Sequence, residues 1–256
     1  MRIVNIINLK GGVGKTTTAL EMGYILHQQH GCRVLLADND PQGNLSKALG
    51  CYDPDDICQT ARLLGGESIK RIKPYYIEGG YDILTANMSL LNATWKLTER
   101  NQSNPFGRYG CLRRAMTDDD HPYDYIIIDN PPDLGINVIN ALAVADDVIV
   151  PTKIDQWALE GLDIIRDQIA DIKRVNCRIN FAGALITMYR NTPACTAGIE
   201  WLRENGYDTF DVMIRYSEKA AESTFSGQSI QDYSPRSAAA VSYRKFVAEY
   251  LRRTSQ

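Results

Sequence analysis

The sequence predicts an α/β fold, a mostly parallel twisted sheet flanked by helices on both faces. Three observations carry this. Short apolar runs rich in Ile and Val alternate with helix-length segments along the whole chain. Several of those runs lack polar–apolar alternation, as strands covered on both faces do. No linker, repeat or low-complexity tract divides the 256 residues, so positions 1–256 read as one domain. A chain of this length buries a sizeable core without metal or disulfide staples.

The elements follow in order. The run Ile3–Ile7 reads as the first strand, and after a glycine-rich loop Thr16–Gln29 reads as a helix. Val34–Ala37, Tyr81–Leu84, Tyr125–Ile128, Val148–Val150 and Phe181–Ile186 are the further strands. Gln156–Val175 is the clearest helix, because Ala158, Leu162, Ile165, Ile169 and Ile172 recur at spacings of four and three. Ala238–Arg253 is another, with Tyr243, Phe246, Val247, Tyr250 and Leu251 on one side. Cys51–Tyr76 and Arg100–Asp120 show no clear period and read as loops with short helices. Asp118, Asp119 and Asp120 precede a strand and read as a solvated loop.

Composition narrows the function classes. Hydrophobic residues are 44% and charged residues 23%, which is ordinary for a soluble globular protein and excludes disorder. With 28 Lys/Arg against 31 Asp/Glu, the net charge of −3 excludes a protein coated in positive charge. The last third is mildly basic, which leaves room for a local basic patch. The N-terminal apolar stretch is too short for a signal peptide, and no window approaches the ~18 apolar residues of a membrane span. Cys32, Cys51, Cys58, Cys111, Cys177 and Cys195 form no C-x-x-C pair and no zinc-finger spacing with histidine. They read as reduced thiols of a cytoplasmic protein.

The chemistry is concentrated in Lys10-Gly11-Gly12-Val13-Gly14-Lys15-Thr16-Thr17, between the first strand and the first helix. Glycines lack a Cβ and permit positive φ, so successive N–H groups can turn inward around an anion. The helix N-terminus adds partial positive charge. That context predicts a phosphate loop. Lys15 is expected on the β- and γ-phosphates, the Thr16 hydroxyl on Mg²⁺, and Thr17 on the α-phosphate. The general pattern G-x-x-x-x-G-K-[ST] needs glycine at position 9, and here it is Leu9. A second lysine, Lys10, stands five residues before Lys15. On the outer limb of the loop it is poorly placed for its own phosphates and could reach those of another subunit.

Acidic residues end two strands. Asp38 and Asp40 follow Val34–Ala37, and Asp129 follows Tyr125–Ile128. In open parallel sheets, ligands gather beyond the carboxyl ends of strands, so these residues should converge with Lys10. Carboxylates there can hold Mg²⁺ through its water shell and orient a water. Asp129 is assigned to the Mg²⁺ shell. Asp38 and Asp40 alternatively cap an Asp-Pro turn.

These segments resemble the ParA/MinD family of P-loop NTPases, and within it the ParA partition ATPases. Lys10–Thr17 is similar to that family's deviant Walker A motif. Leu35-Leu36-Ala37-Asp38-Asn39-Asp40-Pro41-Gln42-Gly43-Asn44-Leu45 resembles its second motif. Tyr125–Gly135 resembles its Walker B and switch II segment, with Asn130 where a small or hydroxyl residue is usual. Ala158–Leu162 and Leu185–Tyr189 resemble ParA-specific stretches. The resemblance implies an ATP- and Mg²⁺-dependent ATPase whose Lys10 crosses an ATP-dependent homodimer to the partner's nucleotide. It implies that Asp40 positions or deprotonates the hydrolytic water and that Asp38 supports metal and switch geometry. Thr187, Met188, Arg215 and Tyr216 become adenine candidates, although Ile214-Arg215-Tyr216 stands where Ile-Pro-Arg is common. Lys219 lies where the partition branch often has a DNA-contacting arginine, and otherwise it is a surface lysine.

The implied function is DNA partition, with non-specific DNA and a ParB-like centromere-binding protein as partners and a cytoplasmic, nucleoid-associated location. One alternative is a ParA-like ATPase that positions protein or conjugation cargo. Another is a MinD-like membrane switch, but the last helix is expected to spend its apolar side on the domain. An iron–sulfur relative would need a cysteine after Asp129, and residues Asp129–Gly135 contain none.

Overall fold

The computed structural model describes residues 1–77, 80–99, 123–155 and 158–255. All of Arg100–Asp120, with Cys111 and the segment Asp118–Asp120, and the start of the helix expected from Gln156 lie outside the described residues. Among the described residues there are seven strands, β1 (Arg2–Ile6), β2 (Val34–Asp38), β3 (Tyr75–Ile77), β4 (Tyr81–Leu84), β5 (Tyr125–Asp129), β6 (Asp147–Lys153) and β7 (Asn180–Thr187). They form one sheet in the order β3-β4-β2-β5-β1-β6-β7. Every pairing is parallel except β3 with β4. The sequence missed β3, a three-residue edge strand inside a stretch read as loop. The other strands were placed to within a residue or so, except that β6 runs on through Pro151 to Lys153.

Strand residues alternate between two apolar layers, which is why the strands read as unbroken apolar runs. On one face Val4, Ile6, Leu36 and Ile127 pack with α1 (Lys15–His30) and the last helix. On the other face Ile3, Leu35 and Ile126 meet α3 (Gln59–Leu64) and α5 (Ser89–Glu99), with α2 (Asn44–Ala48) and α4 (Ile69–Ile72) as short connectors. Further along that face, Ile7, Val148 and Ile186 pack against α6 (Ile136–Leu142), α7 (Ala158–Ile172) and α8 (Pro193–Glu204). Leu162, Ile165, Ile169 and Ile172 of α7 are buried as their spacing predicts, and the helix ends at Ile172 rather than Val175.

After α9 (Glu218–Phe225) and α10 (Ile230–Tyr233), the chain closes with α11 (Ala238–Thr254). Tyr243, Phe246, Val247 and Tyr250 of α11 are buried, so its apolar side is spent on the sheet. Phe246 meets Phe210 edge-on at 4.9 Å, and the Tyr250 hydroxyl donates to Asp147 at 2.8 Å. No helix among the described residues is long and apolar enough to cross a membrane. Cys32, Cys51, Cys58, Cys177 and Cys195 are free thiols.

Candidate functional site

The sheet order β4-β2-β5-β1-β6 brings the carboxyl ends of β1, β2 and β5 together. Asp38 and Asp129 are register partners across β2 and β5, and Ile6 pairs with Asp129 across β1 and β5. The loop after β1 therefore opens beside both aspartates. Gly12 and Gly14 have φ of +70° and +88°, a region where a side chain would be strained. Gly14 is the N-cap of α1, and neither a side-chain cap nor an acidic residue occupies the first turn. The N-terminal charge of α1 thus faces outward, ready for an anion.

Three tethers shape this loop. Asn8 donates to the Pro151 carbonyl at 2.8 Å and accepts from the Lys10 N–H at 2.9 Å, fastening the loop to β6. The Thr187 hydroxyl donates to the Val13 carbonyl at 2.8 Å, fastening it to β7. The Lys15 ammonium donates to the Lys10 carbonyl at 2.8 Å, inside the loop's own curve. Burial lowers the Lys15 pKa, while Asp129, Asp40 and Asp133 pull it back up. Lys10 turns its ammonium away from this curve and pairs with Asp155, after β6.

The aspartates occupy very different environments. Asp38 accepts from the Ser46 N–H at 2.9 Å, the Ser46 hydroxyl at 2.7 Å and the Asp40 N–H at 3.2 Å. Its carboxyl is pushed up to about 6 by burial, against the pull of those donors. Asp40 accepts from the Gln42 N–H at 2.9 Å, so the Asp-Pro turn expected as an alternative is present. Asp40 nevertheless lines the cavity below. Asp129 is 1% exposed, and neither of its oxygens has a hydrogen bond within the chain. Burial first, then the charge of Asp38, raises its pKa well above the carboxylate range, while Thr16 and Lys15 pull it down.

A cavity of about 610 Å³ opens over the loop, lined among others by Gly11, Gly12, Gly14, Lys15, Thr16, Thr17, Asp40, Asn44 and Pro132. A second pocket of about 220 Å³ shares Gly14 and Thr17 with it and is walled by Thr187, Met188, Arg215 and Tyr216. The loop cavity and the side pocket adjoin, so one elongated ligand could occupy both. The loop after Ile214 is zipped to the end of β7: the Tyr189 N–H donates to the Ile214 carbonyl and the Tyr216 N–H to the Tyr189 carbonyl, at 2.9 and 3.0 Å. The Arg215 N–H donates to the Ser242 hydroxyl at 3.4 Å, a bond that a proline there could not make. Arg190 stacks on the Tyr216 ring at 3.9 Å. Met188 has φ of +52°, unusual for a side-chain-bearing residue.

Asp129 has the chemistry of a site for a hard cation. Two buried, unpaired oxygens beside the Thr16 hydroxyl fit a hydrated Mg²⁺ that completes its shell from phosphate and water. Among the described residues no three His, Cys, Asp or Glu side chains gather as a metal cage. The oxygens of Asp38 are already engaged, so it builds the Asp40 turn rather than presenting open ligands. Lys219 lies exposed on α9, bonded to Glu222 at 2.7 Å and outside the cavity. Sequence reading missed Asn8, Asn44, Ser46 and Asp155. For Ser46 there was a faint signal, a hydroxyl eight residues after Asp38.

Fold and site define a nucleotide-binding P-loop protein of the deviant Walker A kind. A family described as an AAA domain matches residues 1–181. The chromosome-partitioning ATPase Soj of Thermus thermophilus is 32% identical over 259 residues, covering 100% of this chain and 98% of that protein. The sporulation initiation inhibitor protein Soj of Bacillus subtilis is 34% identical over 253 residues, covering 97% of each. The crystal structure of cobyrinic acid a,c-diamide synthase from Mycobacterium smegmatis, with bound ADP and magnesium, superposes with a TM-score of 0.81 at 30% identity, covering 100% of this chain and 97% of that one. The chain belongs to the ParA-type partition ATPases of the ParA/MinD P-loop family.

Proposed function

We propose that this chain is an ATP-dependent dimerising switch that hydrolyses ATP and partitions DNA with a ParB-like centromere-binding partner. The observation that carries the reading is the pair of lysines on one loop: Lys15 curled inside it and Lys10 turned out of it. The first suits the chain's own phosphates. The second suits those of a second copy.

In this reading, ATP bound with Mg²⁺ supplies the phosphoanhydride and a cation that neutralises charge at the leaving oxygen. The N–H groups of Gly11–Thr17 and the Lys15 ammonium hold the phosphates. Thr16 and Asp129 face the cation, with Asp38 behind them. Asp40 positions or deprotonates the water that attacks the γ-phosphate. Thr187, Met188, Arg215 and Tyr216 enclose the base. Lys10 leaves Asp155 for the partner's phosphates, so a triphosphate favours the dimer over the monomer. The dimer presents a basic surface, Lys219 included, to non-specific DNA on the nucleoid, in the cytoplasm.

DNA retention tests this, measured with ATP, ADP or no nucleotide across a salt series. Binding that requires ATP and falls steeply with salt is expected, because phosphate contacts release counterions. Equal retention with ADP would sink the switch. Unchanged retention in Lys219→Ala would remove that residue from the surface.

A further inference from the structure

Three buried asparagines stand on or just after adjacent strands of this sheet. Asn5 lies in β1, Asn39 follows β2 and Asn130 follows β5, on three adjacent strands. They are 0%, 0% and 1% exposed. None of them lines the nucleotide cavity. Their amide orientations are fixed by chemistry. The Asn130 Nδ2 faces the carbonyls of Ile6 at 2.9 Å and Ile128 at 3.3 Å, and also the Asn5 Oδ1. All three are acceptors, so only the nitrogen fits there. The Asn130 Oδ1 is thereby left facing Asn39, whose Nδ2 donates to it at 2.8 Å.

Asn39 is held by its backbone as well. Its N–H donates to the Asp129 carbonyl at 2.8 Å, and its own carbonyl accepts from Asn137 of α6 at 2.9 Å. These partners lie at the end of the strand that closes in Asp129, on the residue after it, or on the helix that follows. The next residue along the chain is Asp40. We infer that Asn39 and Asn130 are positioning residues: the buried amide chain Asn5–Asn130–Asn39, with Asn137, sets the Asp40 turn against Asp129. The inference rests on the ATPase reading above. An apolar side chain at either position leaves its neighbour's amide buried and unpaired, which loosens the turn without touching the phosphate loop.

The test compares Asn39→Leu, Asn130→Ala and the double variant in ATP hydrolysis, together with amide hydrogen exchange of residues 39–46 in the nucleotide-free protein. Each single variant is expected to lower kcat about tenfold while KM stays within about twofold. The double variant should fall by less than the product of the two single losses, because the two side chains share one bond. Exchange over 39–46 should accelerate in Asn130→Ala. Unchanged kcat in both singles, losses that multiply in the double, or exchange equal to wild type would each overturn the inference, as would a lower melting midpoint with kcat intact. Asn130→Ser, which keeps a small polar group, serves if the alanine variant does not fold, and is expected to move kcat in the same direction. A wild-type protein that hydrolyses no ATP defeats the ATPase reading instead, and the exchange result then decides the amide chain by itself.

Discussion

Two strand ends lie side by side and treat the same side chain in opposite ways. At the end of β2, Asp38 is buried and met by three donors. At the end of β5, its register partner Asp129 is equally buried, and only the Thr16 hydroxyl beside it stands as a donor, without closing a well-formed hydrogen bond. A buried carboxylate with its own donors organises the fold, whereas one without them is destabilising until a cation or a proton arrives. The contrast separates frame from site more sharply than position in a motif does, since both residues sit in motifs.

Several substitutions break or sharpen that contrast. The largest effect belongs to Lys15→Ala, expected to abolish ATP turnover, roughly a hundredfold or more, in a phosphate-release assay. Asp129→Asn should lose Mg²⁺-supported turnover by a similar order and yet raise the melting midpoint of the nucleotide-free protein, because it removes an unpaired buried charge. A lower midpoint would mean that Asp129 is structural after all. Asp40→Ala should retain ATP binding and accumulate an ATP-bound dimer, visible by sedimentation, with hydrolysis down about a hundredfold. Lys10→Ala should bind nucleotide with wild-type affinity but lose the ATP-dependent dimer. The smallest effect is a pH slope. Asp38 carries a folded pKa of about 6 against an ordinary 3.8, so the folded state holds the proton more tightly than the unfolded state does. Its contribution is therefore present at low pH and lost as pH rises through that window. Urea midpoints should show this slope in the wild type, and Asp38→Asn should flatten it.

Much of this was legible in the sequence. The apolar runs marked six of the seven described strands, because short runs, mostly rich in Ile and Val and set between helix-length segments, favour strands over helices. β3 escaped because Tyr75-Tyr76-Ile77 is short, half-exposed and antiparallel at an edge. The loop Lys10–Thr17 was legible because glycine, lysine and hydroxyl spacing is itself the chemistry. Asn5, Asn39 and Asn130 were not, since a polar residue in a strand acquires meaning only from what faces it across the sheet. The departure at Ile214-Arg215-Tyr216 was visible but its sense was not: the Arg215 N–H needed Ser242, far along the chain, to become a bond.

The ion pair between Lys10 and Asp155 bears on how a lone molecule waits. Both side chains are partly open to water, at 26% and 40%, and pairs of that kind contribute little, about 0–1 kcal/mol. Such a grip parks the ammonium without trapping it. In the dimer proposed above, phosphates brought close by a second molecule would take it over at almost no penalty, so the threshold for pairing would be set by those phosphates and hardly at all by the latch.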